Sequence, residues 1–334
     1  MLRLPDAWVW DFWLVDDGER YHVYFLFASR AVGHPRSRHH RASVGHAVSS
    51  DLRSWQRVPD ALVHSDAPAF DETATWTGSV VAHPDGRWFM FYTGARALDA
   101  STNIQTIGYA TSPDLTRWTK NPRNPVLASD TRWYETLADG TWHDEAFRDP
   151  WVLPDAEGNG WHMLITARSN HGAADDRGVV GHATSADLEH WVLQAPLSEP
   201  GQGFGQLEVM QYVELGDQRL LLFSCLAADT SADLRATGTT GGVWVADAAG
   251  PLGPFDLAHA RQVTDSSRYV GRVIRERQTG EWVLLTFAND HPDGSFVGEL
   301  LDPVPFQPPP RRPTSAAWTT LTGREHGGGP AASG

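Results

Sequence analysis

Three carboxylates stand in apolar segments of this sequence, where a charged side chain is costly unless it has a function. They are Asp11 in "VWDFW", Asp149 in "AFRDPWV" and Glu208 in "QLEVMQ". Since an unpaired buried charge is heavily penalised, three of them in such places indicate a site. Two carboxylates that flank a glycosidic bond can run its hydrolysis, one as acid/base and the other as nucleophile or base. A third can grip sugar hydroxyls and offset the positive charge that develops on the ring.

A cation and several aromatic residues accompany these acids. Arg148 directly precedes Asp149, and we expect it to hold that carboxylate ionised. A crowded acidic site also raises the pKa of one member, which keeps that member protonated as the acid. The chain has 15 Trp residues, whose flat rings bind sugar faces but also fill β cores.

A repeated segment shows which elements position these side chains. "GHAVSSDLRSW", "GYATSPDLTRW" and "GHATSADLEHW" begin at Gly45, Gly108 and Gly181, and "GGVWVADAAGPLGPF" from Gly241 is a degenerate copy. The spacing suits a four-stranded propeller blade and is too long for helical solenoid repeats. We expect the Asp of each Asp-Leu turn to bond its own backbone and the closing Trp to pack within a blade. The turn aspartates are Asp51, Asp114 and Asp187, and the closing residues are Trp55, Trp118 and Trp191.

Five further segments read as strand, polar turn and strand, and amphipathic helical periodicity is absent. The prediction is an all-β protein, a five-bladed β-propeller over residues 1–302. Residues 303–334 are predicted to be an extended C-terminal segment and a flexible tail. In a propeller the first strands surround one axial channel, so a site there draws residues from several blades. These strands supply Asp11, Trp76 with Thr77, Arg148 with Asp149, Glu208 and Tyr269, and the three acids are predicted to occupy equivalent places.

The composition limits the possible partners and compartment. A formal net charge of −14 disfavours nucleic acid and anionic membranes. The single cysteine, Cys225, excludes an internal disulfide and fits a reducing compartment. The N-terminal "MLRLPDAWVW" lacks the features of a signal peptide, so the cytoplasm is expected unless a leader has been removed. No zinc, phosphate-loop or dinucleotide signature is present, and neither a catalytic metal nor a cofactor is expected.

The ordered motifs resemble the five-bladed propeller clan of fructosyl enzymes, which includes invertases, fructan hydrolases and levansucrases. "VWDFW" is similar to the nucleophile strand of levansucrases, "WTGS" to their Trp-Ser-Gly-Ser and "FRDP" to the Arg-Asp-Pro of the clan. The resemblance implies that Asp11 is the nucleophile, Asp149 the transition-state stabiliser and Glu208 the acid/base. It further implies that Trp10 and Trp76 form walls of the sugar pocket, that Thr77 donates a hydrogen bond to the nucleophile, and that Arg148 binds substrate or orients its neighbour. Tyr269, from the first strand of the fifth blade, is also predicted to bind substrate.

This sequence departs from the clan at two places. The clan's acid/base motifs differ from "LEVMQ", so Glu214 in the next turn is a second candidate for that role. A single-domain branch without the C-terminal β-sandwich of invertases is expected. "RSRHHR" at residues 36–41 favours either a phosphorylated sugar or, as a simpler interpretation, an inter-strand loop. His143, Asp144 and Glu145 line the channel mouth in one interpretation and form a solvated loop in the other.

These features predict a retaining β-fructofuranosidase or fructosyltransferase that acts on sucrose or fructo-oligosaccharides through a fructosyl-Asp11 intermediate. The first alternative is an inverting arabinofuranosidase or xylosidase, because related five-bladed propellers also use two Asp and one Glu. The second is a sugar-binding propeller without catalysis. The choice between water and sugar as acceptor depends on loops such as residues 97–103 and 227–240, and stays open.

Overall fold

The computed structural model describes residues 1–99 and 101–310. In this part of the chain five antiparallel sheets form a five-bladed β-propeller, which confirms the predicted fold class. The first blade contains β1 (Ala7–Asp16), β2 (Tyr21–Ser29), β3 (Ser43–Ser49) and β4 (Gln56–Leu62). The second contains β5 (Ala74–Ala82), β6 (Trp88–Ala97), β7 (Asn103–Ser112) and β8 (Thr119–Lys120). The third contains β9 (Phe147–Pro154), β10 (Trp161–Arg168), β11 (Gly178–Ser185) and β12 (Val192–Gln194). The fourth blade contains β13 (Glu208–Leu215), β14 (Gln218–Leu226), β15 (Gly241–Asp247) and β16 (Arg261–Gln262). The fifth contains β17 (Arg268–Arg275), β18 (Trp282–Asp290), β19 (Phe296–Leu300) and β20 (Val304–Pro305).

Helices are short in the described residues and lie between strands. One α-helix, α1, covers Ala232–Ala236. The 3-10 helices cover Arg30–Val32, Pro35–Arg41, Leu137–Asp139, Ala227–Asp229 and Leu257–His259. Within the same residues no helix is long and apolar enough to cross a membrane.

The repeated segment forms the third strand of a blade and the turn that follows it. In each copy the Asp carboxylate accepts hydrogen bonds from backbone N–H groups of its own turn, as Asp187 does from Glu189 at 2.9 Å and His190 at 2.8 Å. The next residue is a leucine in the left-handed region, with φ of 61° to 63° at Leu52, Leu115 and Leu188. These leucines are buried, so side-chain packing holds a backbone conformation that a non-glycine residue seldom adopts. The turn aspartates are therefore structural, as the sequence predicted.

Leu2, near the start of the chain, is joined to the fifth blade. Leu2 pairs with Leu300 through backbone bonds of 2.9 and 3.0 Å, which closes the ring of blades. β20 pairs with β18 at Val283 and Leu284, so a part of the chain beyond residue 302 is a strand of this blade. The predicted flexible tail, residues 323–334, lies outside the described residues.

Apolar side chains from adjacent blades form the core. The rings of Trp13, Tyr24 and Phe25 are fully or almost fully buried in the first blade, and Phe89 and Phe91 are buried in the second. Trp55, Trp118 and Trp191, which close the repeats, pack against these clusters. Burying large rings between sheets fixes the angle at which neighbouring blades meet, and so fixes the spacing of the first strands around the axis.

Every first strand contains an irregularity at the same level. The pairing register shifts between Trp10 and Phe12 in β1 and between Trp76 and Gly78 in β5. The corresponding shifts in the other blades lie opposite β10, β14 and β18, and they follow Arg148, Glu208 and Tyr269. A bulge leaves its extra residue unpaired and redirects side chains, and bulges are common next to active sites. All eight predicted site residues lie at these five bulges.

Candidate active site

A cavity of about 1490 Å³ opens at the bulges of the first strands. Its lining includes all of the predicted site residues except Tyr269. The three carboxylates Asp11, Asp149 and Glu208 therefore face one space, although they are far apart in the sequence. Tyr269 lies behind Glu208 and not on the wall, where its hydroxyl donates to Oε2 of Glu208. The expectation that Tyr269 binds sugar directly is not met in this geometry.

The bulges place the site residues at two successive positions of each strand. The last paired residues before the bulges are Trp10, Trp76, Arg148, Glu208 and Tyr269. Asp11, Thr77 and Asp149 follow as bulged residues, and Val209 and Val270 take this position in the last two blades. The acids are therefore not at equivalent places as expected, because Glu208 precedes the bulge whereas Asp11 and Asp149 lie within it.

Asp11 has one hydrogen-bond donor among its neighbours. Thr77 Oγ1 donates to Oδ2 of Asp11 at 2.9 Å, as the resemblance implied. Burial, followed by the negative charges of Asp149 and Glu208, raises the pKa of Asp11 to about 7. The site thus binds a proton near neutral pH, because three carboxylates in one low-dielectric cavity cannot all be ionised cheaply.

Asp149 is held more rigidly than Asp11. It lies in the left-handed region with φ 56°, and its N–H donates to Thr93 Oγ1 at 2.9 Å. Its Oδ2 accepts from Thr166 Oγ1 at 3.0 Å and from the backbone N–H of Val209 at 3.2 Å. Burial raises the pKa of Asp149 to about 6 in spite of the opposing charge of Arg148. A strained backbone that is fixed by several bonds is typical of a residue whose carboxylate must stay in one place.

Arg148 binds Glu208 more closely than it binds its neighbour in the sequence. Its Nη2 lies 2.6 Å from Oε1 of Glu208, whereas its Nε lies 3.5 Å from Oδ2 of Asp149. Burial alone would lower the pKa of Arg148, but the charges of Glu208 and then Asp149 hold it above its ordinary value. Arg148 is thus a permanent cation between two of the three carboxylates. The expectation that it acts on Asp149 alone is incomplete, since Glu208 is its nearer partner.

The basic segment at residues 36–41 lies on the cavity wall and belongs to the 3-10 helix Pro35–Arg41. The guanidinium of Arg38 sits 3.7 Å from the ring centroid of Phe296 and 5.4 Å from that of Trp10. The backbone carbonyl of His39 accepts from the indole N–H of Trp76 at 2.8 Å. If this segment is interpreted as a plain inter-strand loop, its contribution to the cavity wall, which includes Arg38 and His39, is missed. The signal was available, since an arginine cluster in an acidic chain is unusual.

The remaining candidate residues differ in whether they line the cavity. His143 and Asp144 line the cavity mouth, whereas the Glu145 carboxylate accepts from the backbone of Leu137. Glu214 is 57% exposed and pairs with Arg219, so it does not compete with Glu208 for the site. Ser101 and Asn103 from residues 97–103, and Asp229 from residues 227–240, reach the cavity wall. The selection of the acceptor by these loops stays a prediction.

A metal site would need several suitable side chains close together in the part of the chain that the structure describes. No group of three or more His, Cys, Asp or Glu side chains there could hold a metal ion. The expectation of a metal-free and cofactor-free reaction stays a prediction. The carboxylates themselves supply what glycoside cleavage needs, namely a nucleophile or base, a proton donor and a fixed negative charge.

Comparison with known proteins shows which family the chain belongs to. The family described as "Glycosyl hydrolases family 32 N-terminal domain" matches residues 13–250. Acid beta-fructofuranosidase 4, vacuolar, of Arabidopsis thaliana is 33% identical over 129 residues, 38% of this chain and 18% of that protein. Fructan 1-exohydrolase w2 of Triticum aestivum is 35% identical over 130 residues, 38% of this chain and 20% of that protein. The aligned part is thus about a fifth of the length of these relatives.

Solved structures share the fold at low identity. The inulosucrase of Halalkalicoccus jeotgali bound to kestose superposes with a TM-score of 0.71 at 21% identity, over 88% of this chain and 79% of that one. The levansucrase of Gluconacetobacter diazotrophicus gives 0.70 at 16% identity, over 93% and 80%. A β-fructofuranosidase of Bombyx mori gives 0.65 at 20% identity, over 90% and 60%. The resemblance drawn from the sequence motifs is confirmed at the level of family and fold.

Proposed function

This chain belongs to glycosyl hydrolase family 32, and we propose that it cleaves β-fructofuranosidic bonds with retention. The observation that supports this most directly is the meeting of Asp11, Asp149 and Glu208 in one cavity, with Arg148 between two of them. The relatives named above as β-fructofuranosidase and fructan exohydrolase favour sucrose or a fructo-oligosaccharide as substrate. A cavity of about 1490 Å³ has room for more than one sugar unit.

Asp11 is the nucleophile of the proposed reaction. Its carboxylate attacks the anomeric carbon of the fructosyl unit, and Thr77 orients it by donating to one carboxylate oxygen at 2.9 Å. The bond to the leaving oxygen breaks as that oxygen takes a proton from Glu208. A covalent fructosyl ester of Asp11 results, which water or a sugar hydroxyl resolves with Glu208 as base.

Asp149 stabilises the charge of the transition state. The ring carbon becomes oxocarbenium-like, and a carboxylate fixed by Thr166 and the Val209 N–H needs no reorganisation to face it. Trp10 and Trp76 form part of the wall beside the fructosyl unit. Tyr269 and Arg148 both contact the Glu208 carboxylate and hold it in position for the proposed acid and base steps.

Catalysis requires that the proton held by the free site reside on Glu208 when the bond breaks. Burial and the neighbouring acids raise the pKa of Asp11 to about 7, which supports the retention of a proton at this carboxyl group near neutral pH. Binding of the sugar covers Asp11 and Asp149 with hydroxyl donors, which favours their ionised forms and moves the proton to Glu208. Activity is therefore proposed to be greatest below neutral pH.

Product analysis tests the proposal. The purified protein is incubated with sucrose, inulin-type and levan-type oligosaccharides, and an aryl arabinofuranoside. Free fructose supports hydrolysis, and longer fructosides at high sucrose support transfer. Cleavage of the arabinoside alone would favour the inverting arabinofuranosidase and make Asp11 a general base. Binding of fructosides without turnover would favour a sugar-binding propeller. A cytoplasmic location is a further part of the proposal, because a single cysteine fits a reducing compartment.

A further inference from the structure

Two glutamines hold the guanidinium of Arg148 from opposite sides. Its Nη1 donates to Oε1 of Gln105 at 3.1 Å, and its Nη2 donates to Oε1 of Gln206 at 2.5 Å. Gln105 lies on β7 of the second blade, whereas Gln206 lies two residues before Glu208. Their exposed fractions are 0% and 4%, so water does not replace either acceptor. A long, flexible side chain is thereby fixed by two neutral groups.

The far end of each glutamine amide meets a carboxylate. Nε2 of Gln105 donates to Oδ2 of Asp144 at 2.8 Å, and Nε2 of Gln206 donates to Oδ2 of Asp229 at 2.8 Å. A carboxylate only accepts and a guanidinium only donates, so each amide must point its oxygen at Arg148 and its nitrogen at the aspartate. The five groups form one continuous chain of hydrogen bonds from Asp144 to Asp229.

We propose that Gln105 and Gln206 are positioning residues that hold Arg148 against Glu208, and that Asp144 and Asp229 fix the direction of the two amides. This inference depends on the proposed function, because it assigns these residues to the same reaction. Neutral acceptors leave the positive charge of Arg148 available to Glu208 and Asp149. Carboxylates at the same positions would pair with the guanidinium and take that charge away.

These hydrogen bonds explain how Arg148 stays in place while Glu208 first donates its proton and later accepts one. An ion pair with Glu208 alone would weaken whenever Glu208 became protonated, and the arginine would then move. The amides of Gln105 and Gln206 do not titrate, so their bonds to Arg148 persist in both protonation states. A charge that need not move during the reaction lowers the cost of reorganisation.

Gln211 provides a matched control on the same strand as Glu208. It is 8% exposed, and its amide bonds the backbone of Val273 in both directions at 2.8 Å, without contact to the site. The test compares Gln206→Glu and Gln206→Leu with Gln211→Glu and Gln211→Leu. The readouts are kcat, KM, the pH profile and Tm, with whichever fructoside the wild type cleaves best.

We expect Gln206→Glu to lower kcat about 10²-fold, the typical cost of a small displacement of a catalytic group, and to move the alkaline limb of the pH profile upward. The upward shift follows because a new carboxylate raises the pKa of its acidic neighbours. Gln206→Leu should lower kcat ~10-fold with little change in KM. The Gln211 variants should lower Tm and leave kcat and the pH profile of the folded protein unchanged. Equal effects at both positions, or wild-type kinetics in the Gln206 variants, would overturn the inference.

Crystal structures of the wild type and of Gln206→Leu separate this inference from the proposed function. If the wild type cleaves no fructoside, the proposed function fails, but the position of Arg148 can still be compared. Displacement of the guanidinium from Glu208 in the variant supports the positioning role. An Arg148 that keeps its contact with Glu208 without Gln206 contradicts it.

Discussion

Two sets of three carboxylates occupy different regions of this propeller and experience opposite environments. In the outer turns, backbone N–H groups lower the pKa of Asp114 to about 2. The pKa of Asp187 is lowered to about 2 as well, because its hydrogen bonds to His190 and to the turn backbone outweigh the effect of burial, which raises the pKa. In the inner bulges, burial raises the pKa of Asp11 to about 7 and of Asp149 to about 6. The ionised carboxylate is thus favoured in the outer turns and disfavoured at Asp11 and Asp149, where we propose that the reaction takes place.

The difference arises from the backbone around each carboxylate. A turn offers several free N–H donors to an aspartate at its first position, so the ionised form is satisfied locally. A bulge in an inner strand supplies fewer donors, since Asp11 receives one bond from Thr77. The inner acids depend instead on groups from other blades. Their environment is therefore set by contacts between blades and not by the local turn.

Replacing Asp11 has the largest expected effect. Asp11→Asn should lower kcat by about 10⁴-fold or more, because the amide cannot attack the anomeric carbon. The same change should raise Tm. A carboxyl whose pKa is about 7 in the folded protein and 3.8 in the unfolded chain costs stability once pH exceeds the lower value, and the asparagine removes that cost. Thermal unfolding at pH 5 and pH 8 measures this, with the larger gain expected at pH 8.

The pH dependence of the wild type should show the proton that the inner acids hold. We expect kcat/KM to fall as pH rises through about 7, where burial and mutual repulsion of the carboxylates place the pKa of Asp11. Above this pH all three acids are ionised and no proton is available for the leaving oxygen. A profile that remained flat to pH 9 would mean that the raised pKa has no part in the reaction.

Sequence patterns predicted the blades but not the bulges. The turn aspartates and the strand alternation determine five hairpins, because both depend on local residues. A register shift depends instead on how a strand pairs across the sheet, and the segment around Glu208 carries no local sign of one. For that reason the sequence predicts equivalent strand positions for Glu208 and Asp11, whereas Glu208 precedes the bulge of its strand. Gln105 and Gln206 were missed because their role exists only when separate blades surround Arg148.

Tyr269→Phe should have an intermediate effect, and it tests how Glu208 is controlled. The phenol donates to Oε2 of Glu208 and so fixes the orientation of that carboxylate. Without this bond kcat should fall ~10-fold, and the alkaline limb of activity should move to higher pH because a carboxyl group that loses a hydrogen-bond donor holds its proton more firmly. Kinetics across pH measure this. An unchanged limb would indicate that Tyr269 only fills space behind the site.

The smallest effect on activity is expected in the outer turns. Asp114→Ala removes an acceptor from the backbone N–H groups of Thr116 and Arg117, which lie 3.0 and 2.9 Å away. The free energy of unfolding should drop by about 1–2 kcal/mol, while kcat and KM stay at wild-type values. Urea unfolding and steady-state kinetics provide the two readouts. A loss of turnover in the folded variant would break the separation between the two sets of carboxylates.

Trapping the covalent intermediate tests the central assignment most directly. A Glu208→Gln variant is incubated with β-fructofuranosyl fluoride, whose leaving group needs no proton, then quenched in acid, digested and analysed by mass spectrometry. We predict one fructosyl unit on the peptide that contains Asp11, accumulated because the general base is missing. An adduct on Asp149, or fluoride release with no adduct on any peptide, would contradict Asp11 as the nucleophile.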